Sequence, residues 1–187
     1  MAVRQSHSTH YNRCMQTFKL TNANFRTASL IFGGVGLLLF VSLLIGYPAA
    51  NYAHAARALI LTSGILWGGL AVALFAWAWR DYYQYLYPAW ARPLAPLNGL
   101  LYAAIALGMW TLSNHLGGNA LAWFVLFGGV EGVLEHIIGI YVLRILPKVP
   151  WLEGVSPLPV LIFSFFEYVT YWCLILWAVF LIQRLFL

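Results

Sequence analysis

Five apolar stretches, each reaching or approaching the roughly 20 residues an α-helix needs to cross a bilayer core, constrain this chain more than any motif in it. They fall at about residues 28–47, 55–79, 93–113, 120–145 and 158–187. Lipid offers no hydrogen-bond partner to a bare backbone, so a spanning segment is either a helix or a strand of a closed barrel, and barrel strands alternate polar with apolar residues. Unbroken apolar runs such as Leu-Leu-Leu-Phe-Val at 37–41 exclude the barrel. Charged residues are 8% of the 187, against about 25% in a soluble domain, which leaves little from which to build a solvated surface. The expected fold is therefore all-α, a single integral membrane bundle of about five helices over 27–187, preceded by a polar, basic tail over 1–26.

The segment boundaries follow from local chemistry. Pro48 separates the first two stretches, in a connection that carries Asn51 and His54. Pro93 is suited to the first turn of the third helix. Asn114, His115, Gly117, Gly118 and Asn119 form a turn signal, Pro147 and Pro150 break the fourth helix, and Ser156, Pro157 and Pro159 open the fifth. The first stretch is about twenty residues long with no convincing cleavage site at its far end, so it reads as an anchor that is retained.

Charge placement sets the expected orientation. With the N-terminus in the cytosol, Arg4, Arg13, Lys19, Arg26, Arg80, Arg92, Arg144 and Lys148 all fall inside and only Arg57 and Arg184 outside, which satisfies the positive-inside rule. The C-terminus is then external. Tyr82, Tyr83, Tyr85, Tyr87 and Trp90 suit a linker lying along the headgroup region. This distribution explains the net charge of +5 without nucleic acid, and none is expected as a partner. The expected partners are the bilayer, of a prokaryotic plasma membrane, and further membrane subunits or copies of the chain. Cys14 and Cys173 have no plausible disulfide pairing. Gly64 with Gly68 and Gly128 with Gly132 are small-residue pairs at four-residue spacing, a pattern that lets helix backbones approach.

Chemistry is expected where ionisable residues enter the membrane, because each costs at least about 2.5 kcal/mol at a helix centre unless it is paired, neutralised or wetted. Glu131, Glu135 and His136 on the fourth helix and Glu167 on the fifth are these residues. In an antiparallel hairpin His136 and Glu167 come level at a depth of roughly 13 Å, with Glu135 beside them and Glu131 one turn deeper on the same face. Ser164, Glu167, Tyr168 and Tyr171 recur at i, i+3, i+4 and i+7, so they share one stripe facing the interior, and Asn98 on the third helix can complete the layer.

Three readings of that layer compete. A proton-exchanging site, with Glu131, Glu135, His136 and Glu167 as its acid/base groups and Asn98, Ser164, Tyr168 and Tyr171 as ligand contacts, suits the binding or processing of a small, mostly apolar molecule, or proton-coupled transport. A metal centre is disfavoured, because Glu135 and His136 are adjacent and point about 100° apart, unlike the Glu-x-x-His pairs of di-iron bundles. No metal is therefore assigned, and no cofactor is specified. The third reading is structural, an accessory subunit of a larger membrane complex using polar side chains to fix helix register. A haem held between His54 and His115, near the outer ends of the second and third helices, is a further alternative, but both sit in or beside turns, where a solvated histidine is the usual explanation. His7 and His10 in the tail carry no role. Phosphate-binding loops, nucleophile elbows and Cys-x-x-Cys pairs are absent, which removes ATP-driven and thiol-based mechanisms.

Overall fold

The computed structural model describes residues 19–46, 52–77 and 89–186, and all secondary structure among them is helical. Six α-helices occur in it: α1 (Asn22–Gly46), α2 (Tyr52–Trp77), α3 (Asn98–His115), α4 (Ala120–Ile137), the short α5 (Ile145–Lys148) and α6 (Pro157–Phe186). Five segments are long and apolar enough to cross a membrane, which marks a multi-pass membrane protein. Leu30, Ile45 and Val142 are each more than 70% exposed, as residues facing lipid must be. The tail residues through 18, among them Cys14, His7 and His10, and the Tyr82–Tyr87 linker lie outside the described residues, as does the side chain of His54.

The last helix is the axis of the bundle. Its face from Trp172 through Phe180 is buried against α1, α2 and α4. Residue pairings give the directions. Thr170 shares its hydroxyl proton between Phe32 O at 2.7 Å and its own Phe166 O, and Trp177 Nε1 donates to Ser42 Oγ at 2.9 Å, so α1 runs parallel to α6. The buried residues of α1, Ser29, Gly36 and Leu43, recur every seven residues, a single seam against one neighbour. Tyr168 over Gly132 and Trp172 over Gly128 make α4 antiparallel to α6. Gly64, Gly68 and Gly99 bring the α2 and α3 backbones into direct contact, again antiparallel. Successive spans thus alternate in direction, and the start of α1 and the end of α6 lie at opposite ends of the bundle.

The α3–α4 turn follows the sequence expectation. Gly117 and Gly118 adopt φ of 72° and 71°, a region that costs glycine little, and the Asn119 side chain caps α4 by accepting from Ala122 N at 3.1 Å. Two other boundaries differ from expectation in helix type. The third span opens at Pro93 as expected, but in a 3-10 segment, Ala89–Leu97, that holds both Pro93 and Pro96, and α3 proper starts at Asn98. Neither proline can donate to an α-helical ladder, so the tighter turn carries this stretch. The fourth helix does not continue to Ile145 as one α-helix. It ends at Ile137, widens into a π turn over Ile138–Val142, and reverses at Arg144, whose φ of 53° is left-handed. That reversal returns the chain so that Leu146, Val149, Leu152, Val155 and Val160 form a second, small core. Lys148 Nζ donates to Leu143 O at 2.6 Å and covers one carbonyl freed at the helix end.

The entry to α1 is fastened to this connector. Thr21 and Asn24 cap each other reciprocally, Asn22 Oδ1 accepts from Ser156 N at 2.9 Å, and Leu20 N donates to Trp151 O at 2.9 Å. Lys19 pairs with Glu153 at 2.8 Å and holds its carboxyl below the usual carboxylate range. The pair is solvated, so its contribution is small; it is present above that range and fades as pH falls through it.

Candidate functional site

The sequence of α4 reads Gly128-Gly-Val-Glu131-Gly132-Val-Leu-Glu135, which repeats a glycine followed three residues later by a glutamate. Each glycine leaves a bare strip of backbone on which an aromatic side chain of α6 lies, and the polar tip of that side chain reaches the glutamate on the next turn. A Cβ at Gly132 would collide with Tyr168, and one at Gly128 with Trp172. Tyr168 Oη donates to Glu135 Oε2, and Trp172 Nε1 donates to Glu131 Oε2 at 3.3 Å. The glycine spacing read as ordinary packing therefore also positions two carboxyl groups.

Glu135 is the hub. Tyr102 Oη, from α3, donates to its other oxygen at 2.5 Å, and the two tyrosine oxygens stand 3.3 Å apart. Trp67, from α2, stacks on the Tyr102 ring at 3.7 Å between centroids with planes 7° apart, and approaches Tyr171 of α6 at 4.4 Å. Four helices thus converge on one carboxyl.

This cluster forms the inner wall of a cavity of about 610 Å³. Glu135, His136 and Glu167 all line it, together with Asn98, Tyr168 and Tyr171. Toward the end of the bundle where α1 begins, the lining becomes apolar, with Leu20, Phe25, Leu143, Leu146, Trp151 and Phe163. Residues of the second core line this side. The space therefore has a polar inner pole and an apolar approach.

The carboxyl and imidazole groups are half-buried, and their contacts differ from the layer expected from depth alone. His136 does not bond to Glu167. Its Nδ1 lies 2.9 Å from Gly132 O, and since a carbonyl only accepts, Nδ1 carries the proton. Its ring meets Tyr168 edge-on at 6.0 Å. Glu167 makes no hydrogen bond or ion pair with any other described residue. Glu131 does not line the cavity: Trp172 stands on it, and its second oxygen is buried without a partner among the described residues. Ser164 is fully buried and donates to Leu161 O at 2.8 Å, so its hydroxyl is spent within its own helix.

Tyr102 and Trp67 were not singled out by the sequence. Tyr102 lies four residues after Asn98 and hence on the same face of α3, which is the one signal that could have found it. His115 is exposed at the opposite end and pairs with Thr111 O at 2.9 Å. Among the described residues no three His, Cys, Asp or Glu side chains come together as ligands for a metal ion. Comparison with protein-family models, with curated proteins and with solved structures gives no match.

Proposed function

We propose that this membrane protein binds, and by proton exchange processes, a small and mostly apolar molecule in the cavity between α2, α3, α4 and α6. The observation that carries the reading is the cavity itself: about 610 Å³, within the range of ligand sites, apolar on its approach and ended by Glu135, His136 and Glu167. An accessory subunit using these groups only to fix helix register would have packed them without such a space. Within the cavity the roles divide. Glu135, with both oxygens held by tyrosine hydroxyls, is oriented rather than free. Glu167 and His136 Nε2 have no partner among the described residues and are the groups placed to take or give a proton. Glu131, behind Trp172, supports the wall.

The direct test is mass spectrometry of material extracted from the purified protein, compared with an Ala71→Trp variant. Ala71 lines the cavity and is almost fully buried, so the indole would fill the space from α2. We expect one small molecule at near-stoichiometric yield from the parent and at least about tenfold less from the filled variant, a loss of about 1.4 kcal/mol or more. Equal recovery from both, with both folded, would remove the cavity as the binding place.

Orientation belongs to the same proposal. Lys19, Arg26, Arg144 and Lys148 gather at the cavity end of the bundle, and Arg184 lies at the other, which supports a cytosolic mouth, in a prokaryotic plasma membrane, by the positive-inside rule. In a Cys14→Ser background, a cysteine at exposed Lys148 is expected to resist a membrane-impermeant maleimide applied from outside, while one at exposed Gly118 reacts. The reverse pattern would invert the assignment.

A further inference from the structure

We propose that the polar end of the ligand is a cation, an amine or onium group carried on an apolar body. This rests on the cavity being the binding place. Among the described residues the charge inventory of the lining is one-sided: Glu135 and Glu167 are present, and no lysine or arginine is. The described basic side chains at this end are engaged or outside the cavity, Lys148 on the Leu143 carbonyl and Lys19 on Glu153, while Arg26 and Arg144 are exposed and do not line the space. His136 presents only Nε2, since Nδ1 is spent on Gly132 O.

A carboxyl inside a membrane span is paired, protonated or wetted, and no described residue pairs with Glu167, which leaves it open to a ligand cation. Glu135 is held differently. Two hydroxyls donate to its two oxygens and fix its position. Tyr102, Tyr168, Tyr171 and Trp67 complete the wall, and aromatic walls beside carboxylates suit an onium group, which gains from ring electrons as well as from the opposite charge. An anion would meet two carboxyls and, among the described lining residues, no lysine or arginine, and a neutral ligand would gain nothing from the charge of either carboxyl. The apolar approach lined by Leu20, Phe25, Leu143 and Phe163 then takes the ligand's body.

Three probes that share one body and differ in charge separate these cases: 4-phenylbutylammonium, 4-phenylbutanol and 4-phenylbutyrate. Each is titrated calorimetrically into the full chain in an uncharged detergent at neutral pH. The ammonium is expected to bind about tenfold or more tighter than the alcohol, and the carboxylate more weakly than either. Glu167→Gln is expected to weaken the ammonium at least about threefold more than it weakens the alcohol. The parent protein carries the decisive comparison even if that variant fails to fold. Equal affinity of alcohol and ammonium in the parent would overturn the cationic ligand and leave the cavity reading standing. A cation preference that survives Glu167→Gln combined with Glu135→Gln, both folded, would overturn it too. Binding of none of the three probes would overturn both.

Discussion

Gly132→Leu is expected to be strongly damaging, costing about 3 kcal/mol. The atoms in the way of a new Cβ at Gly132 are Cγ, Cδ2 and Cβ of Tyr168, the stem and near edge of the side chain rather than a flexible tip. Rotation cannot clear them, so α4 and α6 must separate, and overpacking of a tight interface costs about 1–3 kcal/mol even where some relaxation is available. Separation also pulls Tyr168 Oη from Glu135 and opens the wall of the cavity. Gly108, with nothing within 4 Å of a built Cβ, is the matched control, and Gly108→Leu is expected to be tolerated. Thermal unfolding in detergent, followed by near-ultraviolet circular dichroism, reads both. A Gly132→Leu protein melting at the temperature of the control would mean that the glycine is not a packing requirement.

The second large effect is expected at Glu135. Glu135→Ala removes the acceptor of two tyrosine hydroxyls at once, and leaving such donors unsatisfied costs about 1–3 kcal/mol each where they are buried. Bonds of this class measured within membrane helices are weaker, so about 2 kcal/mol in total is the expected loss. The informative form of the experiment is a cycle. Tyr168→Phe should be costly in the parent and nearly neutral once Glu135 is alanine, with a coupling of about 1 kcal/mol, and Tyr102→Phe should behave alike. Additive losses would show that the two hydroxyls do not depend on the carboxyl. Glu135→Gln, which keeps an acceptor, is expected to fall between the parent and Glu135→Ala.

Much of this architecture is legible in the sequence because the physics behind it is one-dimensional. Length and apolarity mark the spans, Gly117 and Gly118 mark the turn, and a helical stripe gathers Glu167, Tyr168 and Tyr171 on one face of α6. Depth can be counted at 1.5 Å per residue, and it brought Glu135, His136, Glu167 and Asn98 to one cavity. Depth says nothing about direction around the helix axis. Glu135, about 100° away from His136, is the residue that meets Tyr168, while His136 turns to the carbonyl of Gly132. Glu131 and Ser164 share the expected faces but are closed off by a neighbouring ring or satisfied by their own helix. Tyr102 and Trp67 stayed hidden because an aromatic residue in an apolar span looks the same whether it packs against lipid or holds a carboxyl. The π turn has no sequence signature beyond the prolines that follow it.

The place of α6 at the centre of the bundle also bears on biogenesis. A chain is synthesised from its N-terminus, yet α1 finds its seam only on Thr170, Trp177 and their neighbours, and the α4 glycines remain open until Tyr168 and Trp172 arrive. The α2 and α3 spans can already pack on each other through Gly64, Gly68 and Gly99, and Tyr102 can already reach Glu135, but α1 lacks its seam and Glu131 and the second oxygen of Glu135 lack their donors until the final span enters. Quality control that senses unpaired polar groups in the bilayer would find its signal in that interval, and a ribosome that stalls before α6 leaves behind a protein with every earlier span and no site.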